Sequence, residues 1–174
     1  SGSHELIRAI LENYVETEER IQIVNRPDHG GRTVLHHTAS SGNTESLKLV
    51  LSVYRTELEC FQALRRQDRD RRTVWHHALH SRNPAAIEYI LTVLTESQRL
   101  YALGMKDSSE RTLLHCACLW RKNQVECTRT VLAFYPESQR LQALNLRDLE
   151  QKTVWQRMTE ETRDSIKELL PTNV

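Results

Sequence analysis

Residues 28–39 read DHGGRTVLHHTA, and the chain repeats this stretch three more times. The later copies are DRDRRTVWHHA at 68–78, DSSERTLLHCA at 107–117 and DLEQKTVWQRM at 148–158. In every copy an Asp stands five residues before a Thr, and the Thr follows a Lys or an Arg. The four threonines, at positions 33, 73, 112 and 153, are 40, 39 and 41 residues apart. A fixed period of this size predicts a stack of repeated supersecondary units.

The pattern D-x-x-x-x-T-[VL]-[LW]-H, followed in the first copy by Ser41, Gly42 and Asn43, resembles the ankyrin repeat. The resemblance runs from about residue 5 to residue 170. It implies an all-α repeat solenoid, in which each unit is a β-turn finger followed by two antiparallel helices. Two features depart from the family. Val or Leu replaces the usual Pro after Thr, and the usual Gly two residues before Thr is kept only as Gly31.

The period is about six residues longer than the ~33 of ordinary ankyrin units, so each unit carries an extra segment. We identify this segment as TESQRLYAL at 95–103, PESQRLQAL at 136–144 and ETEERIQIV at 16–24, with a looser copy ending in CFQAL at 60–64. Thr95 or Pro136 followed by Glu is typical of a helix start. We therefore predict an added short helix of one or two turns. The alternative is a longer second helix in each unit.

These repeats define one domain with five parts. Ser1-Gly2-Ser3 resembles a remnant of an expression vector and is left out of the fold prediction. The last unit is short, and its polar Gln156, Arg157 and Glu160 suit a terminal unit that meets water on its outer side. The predicted boundaries are a partial unit at 4–27, full units at 28–67, 68–106 and 107–147, and a capping unit at 148–174.

Composition narrows the classes of function. The formal net charge is +1, so no overall field favours nucleic acid or a membrane surface. No apolar run approaches the ~18 residues of a membrane span. The four cysteines are few and unevenly placed, which favours reduced thiols and a cytoplasmic location. For a secreted bacterial effector that location would be the host cytosol.

Recurring histidines raise the possibility of a metal site. His36, His76 and His115 occupy one repeat position, and stacking would separate them by roughly 10 Å, the spacing of packed helices. One zinc ion binds nitrogen at ~2.0–2.1 Å, so it cannot bridge them. We therefore expect these histidines to hydrogen-bond backbone groups and to tie neighbouring units together, as the resemblance also implies.

A catalytic site is not predicted. His115, Cys116, Cys118 and Cys127 could in principle form a Cys/His cluster, but Cys-x-Cys spacing does not fit a zinc ribbon and puts the two thiols on different helix faces. No Gly-rich phosphate loop exists among only five glycines. The sequence therefore predicts a non-enzymatic chain without metal or cofactor, with the cysteines in the core.

A protein-binding surface is the favoured prediction. It would be the concave face made by the fingers and the first helices. Its predicted lining residues are His37, Ser40, Ser41, Arg69, Arg71, His77, His80, Ser81, Cys116, Leu119, Trp120 and Arg121.

Two parts of that surface have competing interpretations. Trp120 beside Arg121 is either a binding anchor or a side chain packed over the third turn. The run RRQDRDRR at 65–72 is either a solvated finger or a dock for an acidic segment of a partner.

We therefore predict a protein–protein interaction module that is monomeric alone, with a protein partner, no nucleic acid and no membrane span. A start in the middle of a unit, together with the vector-like first residues, motivates a second hypothesis. In it the chain is a targeting or scaffold domain from a larger enzyme or from a bacterial effector directed at a host. A third hypothesis, metal-dependent catalysis, would show as stoichiometric zinc in the purified protein.

Overall fold

The structure is a computed structural model that describes residues 2–13, 17–119 and 123–171. The described residues form thirteen α-helices and one terminal 3-10 helix and no named strand, which confirms the all-α prediction. The helices are α1 Gly2–Glu12, α2 Thr17–Val24, α3 Val34–Ser41, α4 Thr44–Leu51, α5 Glu57–Leu64, α6 Val74–His80, α7 Pro84–Thr92, α8 Glu96–Gly104, α9 Leu113–Ala117, α10 Gln124–Ala133, α11 Glu137–Leu144, α12 Val154–Arg157 and α13 Glu160–Ile166. None of these helices has the length and apolar character to cross a membrane.

Helices with the same place in the sequence copies pack against one another. The first helices form one row, in which α3 contacts α6, α6 contacts α9 and α9 contacts α12. The second helices form another row, in which α4 contacts α7, α7 contacts α10 and α10 contacts α13. In the first three copies, the first helix also packs on the second. Each of these copies therefore buries its apolar face both between its own two helices and against the neighbouring copies.

The core uses the same position in successive copies. The second residue after Thr is Leu35, Trp75 or Leu114 in the first three copies, each at most 1% exposed. Trp155 has this position in the last copy and is only half-buried. Trp75 is thus a core residue in the middle of the array, whereas Trp155 lies partly at the surface of the last copy.

The extra segment is a separate helix and not a continuation of the second helix. In α5, Thr56 accepts a hydrogen bond from the amide of Glu59, while the Glu59 carboxylate accepts one from the amide of Thr56. Thr95 and Gln98 form the same reciprocal cap on α8. A capping box marks a new helix start. At the end of each added helix, or one residue before it, an apolar side chain enters the core as Val24, Leu64, Leu103 or Leu144.

Candidate functional site

Four tight turns precede the first helices, at residues 28–32, 68–72, 107–111 and 148–152, and are here called the Asp turns. In each one, an oxygen Oδ1 of the Asp accepts hydrogen bonds from the amides two and four residues later, at 2.8–3.1 Å. The Asp amide also donates to the carbonyl four residues later. An Asp that bonds its own following backbone stabilises a turn of this kind.

The fourth residue of each Asp turn adopts a left-handed backbone conformation. It is Gly31 in the first turn, with φ of +80°. In the other turns it is Arg71, Glu110 and Gln151, with φ of 57°, 59° and 59°. Glycine adopts this conformation without strain, whereas the other three side chains are accommodated at some cost. The turn geometry is therefore kept even where its preferred residue is missing.

Adjacent Asp turns are joined by one backbone hydrogen bond each. The amide of Arg69 donates to the carbonyl of Gly30 at 2.9 Å. The amide of Ser108 donates to Asp70 at 2.8 Å, and that of Leu149 donates to Ser109 at 3.0 Å. The four turns consequently form one continuous row with a hydrogen bond at every step.

Three of the four Asp turns are also held from the first helix, through the second carboxylate oxygen. His77 Nε2 lies 2.8 Å from Asp68 Oδ2, and both side chains are buried. In the first copy, His37 makes the same contact with Asp28 at 2.9 Å, but at the surface. In the fourth copy the same place is taken by Arg157, which bonds Asp148. This second His of each pair therefore orients a turn carboxylate.

The third copy replaces that His by Cys116, and a different cation fills the role. Arg111 Nη2 lies 2.9 Å from Asp107 Oδ2 and its Nε lies 3.0 Å from the same oxygen. Burial raises the pKa of Asp107, but hydrogen bonds from the Arg111 amide and guanidinium outweigh it, and the net effect lowers that pKa. A side chain that contacts the second carboxylate oxygen is thus present in all four copies, and in the last two it is an arginine.

The first His of each pair caps its own helix. Nδ1 of His76 accepts a hydrogen bond from the amide of Thr73 at 3.2 Å and lies 2.8 Å from its hydroxyl. His36 and His115 make the same contacts with Thr33 and Thr112. A ring that accepts at Nδ1 carries its proton on Nε2. Burial lowers the pKa of His76 to about 4, so the ring is neutral near neutral pH.

The other ring nitrogen points towards the next copy. Nε2 of His36 donates to the carbonyl of Arg66 at 3.1 Å, which joins the first helix to the end of the same unit, just before the second Asp turn. For His76 and His115, no described residue offers Nε2 a partner at normal hydrogen-bond distance. The sequence prediction of a His that bonds backbone is therefore correct within each copy. The predicted tie to the next unit is not a hydrogen bond at normal distance from any of the three rings.

The structure corrects two of the predicted surface residues. His77 is 5% exposed and Cys116 is 8% exposed, so neither side chain can line an open surface. The exposed candidates are His37, Ser40, Ser41, Arg69, Arg71 and His80, and Ser81 and Leu119 are half-buried. Trp120 and Arg121 lie outside the described residues.

The exposed arginines differ in their availability. Arg71 Nη1 lies 3.2 Å from Glu110 Oε1 in the next turn, and Glu110 also pairs with Lys106 at 3.1 Å. Arg72 lies 3.6 Å from Asp70. The side chain of Arg69 has no hydrogen bond or ion pair with any described residue. The predicted dock for an acidic group therefore reduces to Arg69 within this turn.

The cysteines do not form a reactive centre. Burial raises the pKa of Cys116 and of Cys118 to about 12 and that of Cys127 to about 11. Thiols with such values are protonated at neutral pH and are poor nucleophiles. Among the described residues, no group of three His, Cys, Asp or Glu side chains could hold a metal ion.

No protein-family model matches this chain, and no curated protein is similar enough to be matched to it.

Proposed function

We propose that the chain is an ankyrin-type repeat solenoid that binds another protein on the surface formed by the Asp turns and the first helices. The observation that carries this proposal is the row of Asp turns joined edge to edge by backbone hydrogen bonds. Such a row holds its exposed side chains at fixed spacing, and a preorganised backbone lowers the entropy cost of binding.

The side chains on this row fall into two groups. The aspartates and their His or Arg partners maintain the turns, as shown by the buried pair of Asp68 and His77. The exposed side chains of Ser40 and Arg69 lie outside those pairs. Residues that are exposed on a rigid frame without maintaining it are typical of recognition surfaces.

An acidic segment on the partner fits the charge of this surface. Arg69 is exposed and has no ion pair with the described residues, so binding a carboxylate would not require an existing pair to break. An exposed charge of this kind contributes mainly to the association rate and to its salt dependence.

Site-specific crosslinking tests the proposal. A photo-crosslinking amino acid is introduced at Ser40 or Arg69, and a matched one at Glu126, which is exposed on α10 of the other helix row. We expect one discrete protein adduct from the first two positions and none from Glu126. Equal adducts from all three positions, or an adduct from Glu126 alone, would contradict the proposed surface.

A further inference from the structure

A cleft lies between the added helices α5 and α8, apart from the surface of the Asp turns and first helices. The cleft has a volume of about 450 Å³. Its lining residues are Gln62, Arg65, Arg66, Gln67, Tyr101 and Met105. These residues include two arginines and no Asp or Glu. Arg65, Arg66 and Gln67 belong to the run at 65–72 that the sequence offered as a dock for an acidic segment, but they precede the second Asp turn, and Arg69 does not line the cleft. The α5–α8 cleft is therefore a separate, cationic site.

Arg65 supplies an available charge at this cleft. Its side chain is exposed, and it makes no hydrogen bond or ion pair with any described residue. Placing a carboxylate on it would cost no existing interaction, and a guanidinium can donate two parallel hydrogen bonds to a carboxylate.

The neighbouring polar groups are held in position. Arg66 Nη1 donates to the carbonyl of Asn25 at 3.0 Å, which fixes its guanidinium against the preceding copy. Gln67 Nε2 donates to the carbonyl of Arg71 at 3.1 Å. Because these side chains are already ordered, binding at this end of the cleft loses less rotamer entropy.

An aromatic side chain forms the opposite wall. Tyr101 is 49% exposed, and its ring packs edge-to-face on Phe61 with the ring centroids 5.7 Å apart. Phe61 in turn lies 6.2 Å from the buried Trp75. A half-exposed tyrosine supported from below is a rigid apolar contact of the kind found at binding hot spots.

We propose that the α5–α8 cleft binds an acidic peptide segment of a partner protein. A carboxylate of the segment pairs with Arg65, and an adjacent apolar side chain packs on Tyr101. Leu58, which is 61% exposed, lies one helical turn before Gln62 on the same face of α5 and extends the apolar part of the site. This proposal is independent of the surface proposed above.

The small number of positive charges at the cleft favours a peptide over nucleic acid. Nucleic-acid binding proteins neutralise several phosphates along a backbone, commonly about six to ten. The cleft presents only two arginines, and the whole chain has a formal net charge of +1. A peptide that offers one carboxylate beside an apolar side chain needs fewer cationic partners than a nucleic-acid backbone does. The cleft therefore suits the peptide better.

Fluorescence anisotropy with defined probes tests the inference. The probes are a short labelled peptide of glutamates ending in leucine, the same peptide with every glutamate replaced by glutamine, and a short oligothymidylate. We expect the glutamate peptide to bind, and we expect Arg65→Glu to weaken its binding by about tenfold. Tyr101→Ala should also weaken binding, whereas the glutamine peptide should bind poorly to the wild type.

Arg55→Glu is the matched control, because Arg55 is exposed at the other end of α5 and changes the net charge equally. It should leave binding unchanged, and an equal loss would overturn the inference by showing general charge attraction. Tighter binding of the oligothymidylate, lost in Arg65→Glu, would overturn it in favour of nucleic acid. Loss of peptide binding in Arg69→Glu but not in Arg65→Glu would place the peptide on the Asp turns. That last result would support the proposed function while rejecting this site. Melting temperatures of all variants check that each is folded.

Discussion

At the scale of single residues, the first His of each pair couples the helix start to pH. Its Nδ1 must be unprotonated to accept from the Thr amide, as at His76 and Thr73. Burial lowers the pKa of His76 and of His36 from 6.5 to about 4. The unfolded chain therefore takes up these protons at a higher pH than the folded chain does.

The sign of the resulting pH dependence follows directly. Stability from these histidines is fully present above about pH 6.5, and it is lost as the pH falls from there towards about 4. Asp28, whose pKa is lowered to about 2 mainly by the hydrogen bond from the Arg32 amide, loses its contribution only below the usual 3.8. Urea unfolding between neutral and mildly acidic pH should thus show falling stability before the carboxylates titrate.

Two substitutions of His76 distinguish the loss of the helix cap from the loss of the titrating imidazole ring. His76→Ala should lower the free energy of unfolding at neutral pH by about 1–3 kcal/mol, because the amide of Thr73 loses its acceptor. His76→Gln should cost less and should flatten the acid dependence. Gln156 already plays this part in the fourth copy, accepting from the Thr153 amide at 2.9 Å. An acid dependence as steep in His76→Gln as in the wild type would refute the assignment.

The left-handed position of the Asp turns gives a second prediction at this scale. A Cβ at Gly31 would lie 3.2 Å from the backbone nitrogen of Arg69, at a φ of +80°. Gly31→Ala should therefore destabilise the chain by about 1 kcal/mol or more. Gln151→Gly relieves the equivalent strain in the last turn, and we expect it to be neutral or stabilising by up to about 1 kcal/mol. Thermal melts of both variants provide the comparison.

The capping role of the first His was predictable from its fixed place after Thr, but the pairing of the second His with Asp was not. His77 and Asp68 are nine residues apart and meet only because the turn folds back on the helix. One signal was present in the sequence. The position nine after Asp is His, His, Cys and Arg in the four copies, and three of these side chains can pair with a carboxylate. Had this position been interpreted as the partner of the Asp, His77 would not have been predicted to lie on the binding surface.

At the scale of helices, the row of second helices depends on side chains that are fully buried between copies. Leu91 of α7 is 0% exposed, and Val93, just beyond the helix, is 38% exposed. Leu91→Ala should lower the free energy of unfolding by about 2–5 kcal/mol, because it removes buried apolar contacts and leaves a cavity. Val93→Ala is the matched control and should change it by about 0.5 kcal/mol or less. Similar losses in both variants, measured by denaturant unfolding, would show that α7 is packed differently.

The starts of the added helices could be predicted from the sequence, but it could not establish their separation from the second helices. Their boundaries were set by Thr95, Pro136 and the Glu that follows each, and α8 and α11 do begin at Glu96 and Glu137. The sequence predicted separate helices but left a longer second helix as the alternative, because that helix would carry the same apolar residues. For α5 and α8 the structure decides through capping boxes, in which side chains satisfy the backbone amides that a continuous helix would have bonded itself. α11 begins after Pro136 without such a side-chain cap.

At the scale of the whole molecule, the row of Asp turns predicts a pattern of amide exchange. The amides of Arg69, Ser108 and Leu149 each donate to the preceding turn and should exchange slowly. His29 has the same place in the first turn, where no described residue accepts its amide, and it should exchange fast. Hydrogen exchange followed by NMR measures all four. Protection at His29 equal to that at Ser108 would mean that the bonds between turns do not control exchange.

The row of Asp turns also has a direction, since every turn after the first donates its second amide to the third carbonyl of the turn before it. A duplicated segment, such as a second copy of residues 68–106 inserted after position 106, would meet the same donor and acceptor at both of its new junctions. Arg69 of the inserted copy would face the carbonyl of Asp70, and Ser108 would face the carbonyl of the inserted Asp70. The chain can thus be lengthened one unit at a time while the same backbone hydrogen bond joins each pair of adjacent turns. The regular spacing of the exposed side chains would continue along the added units.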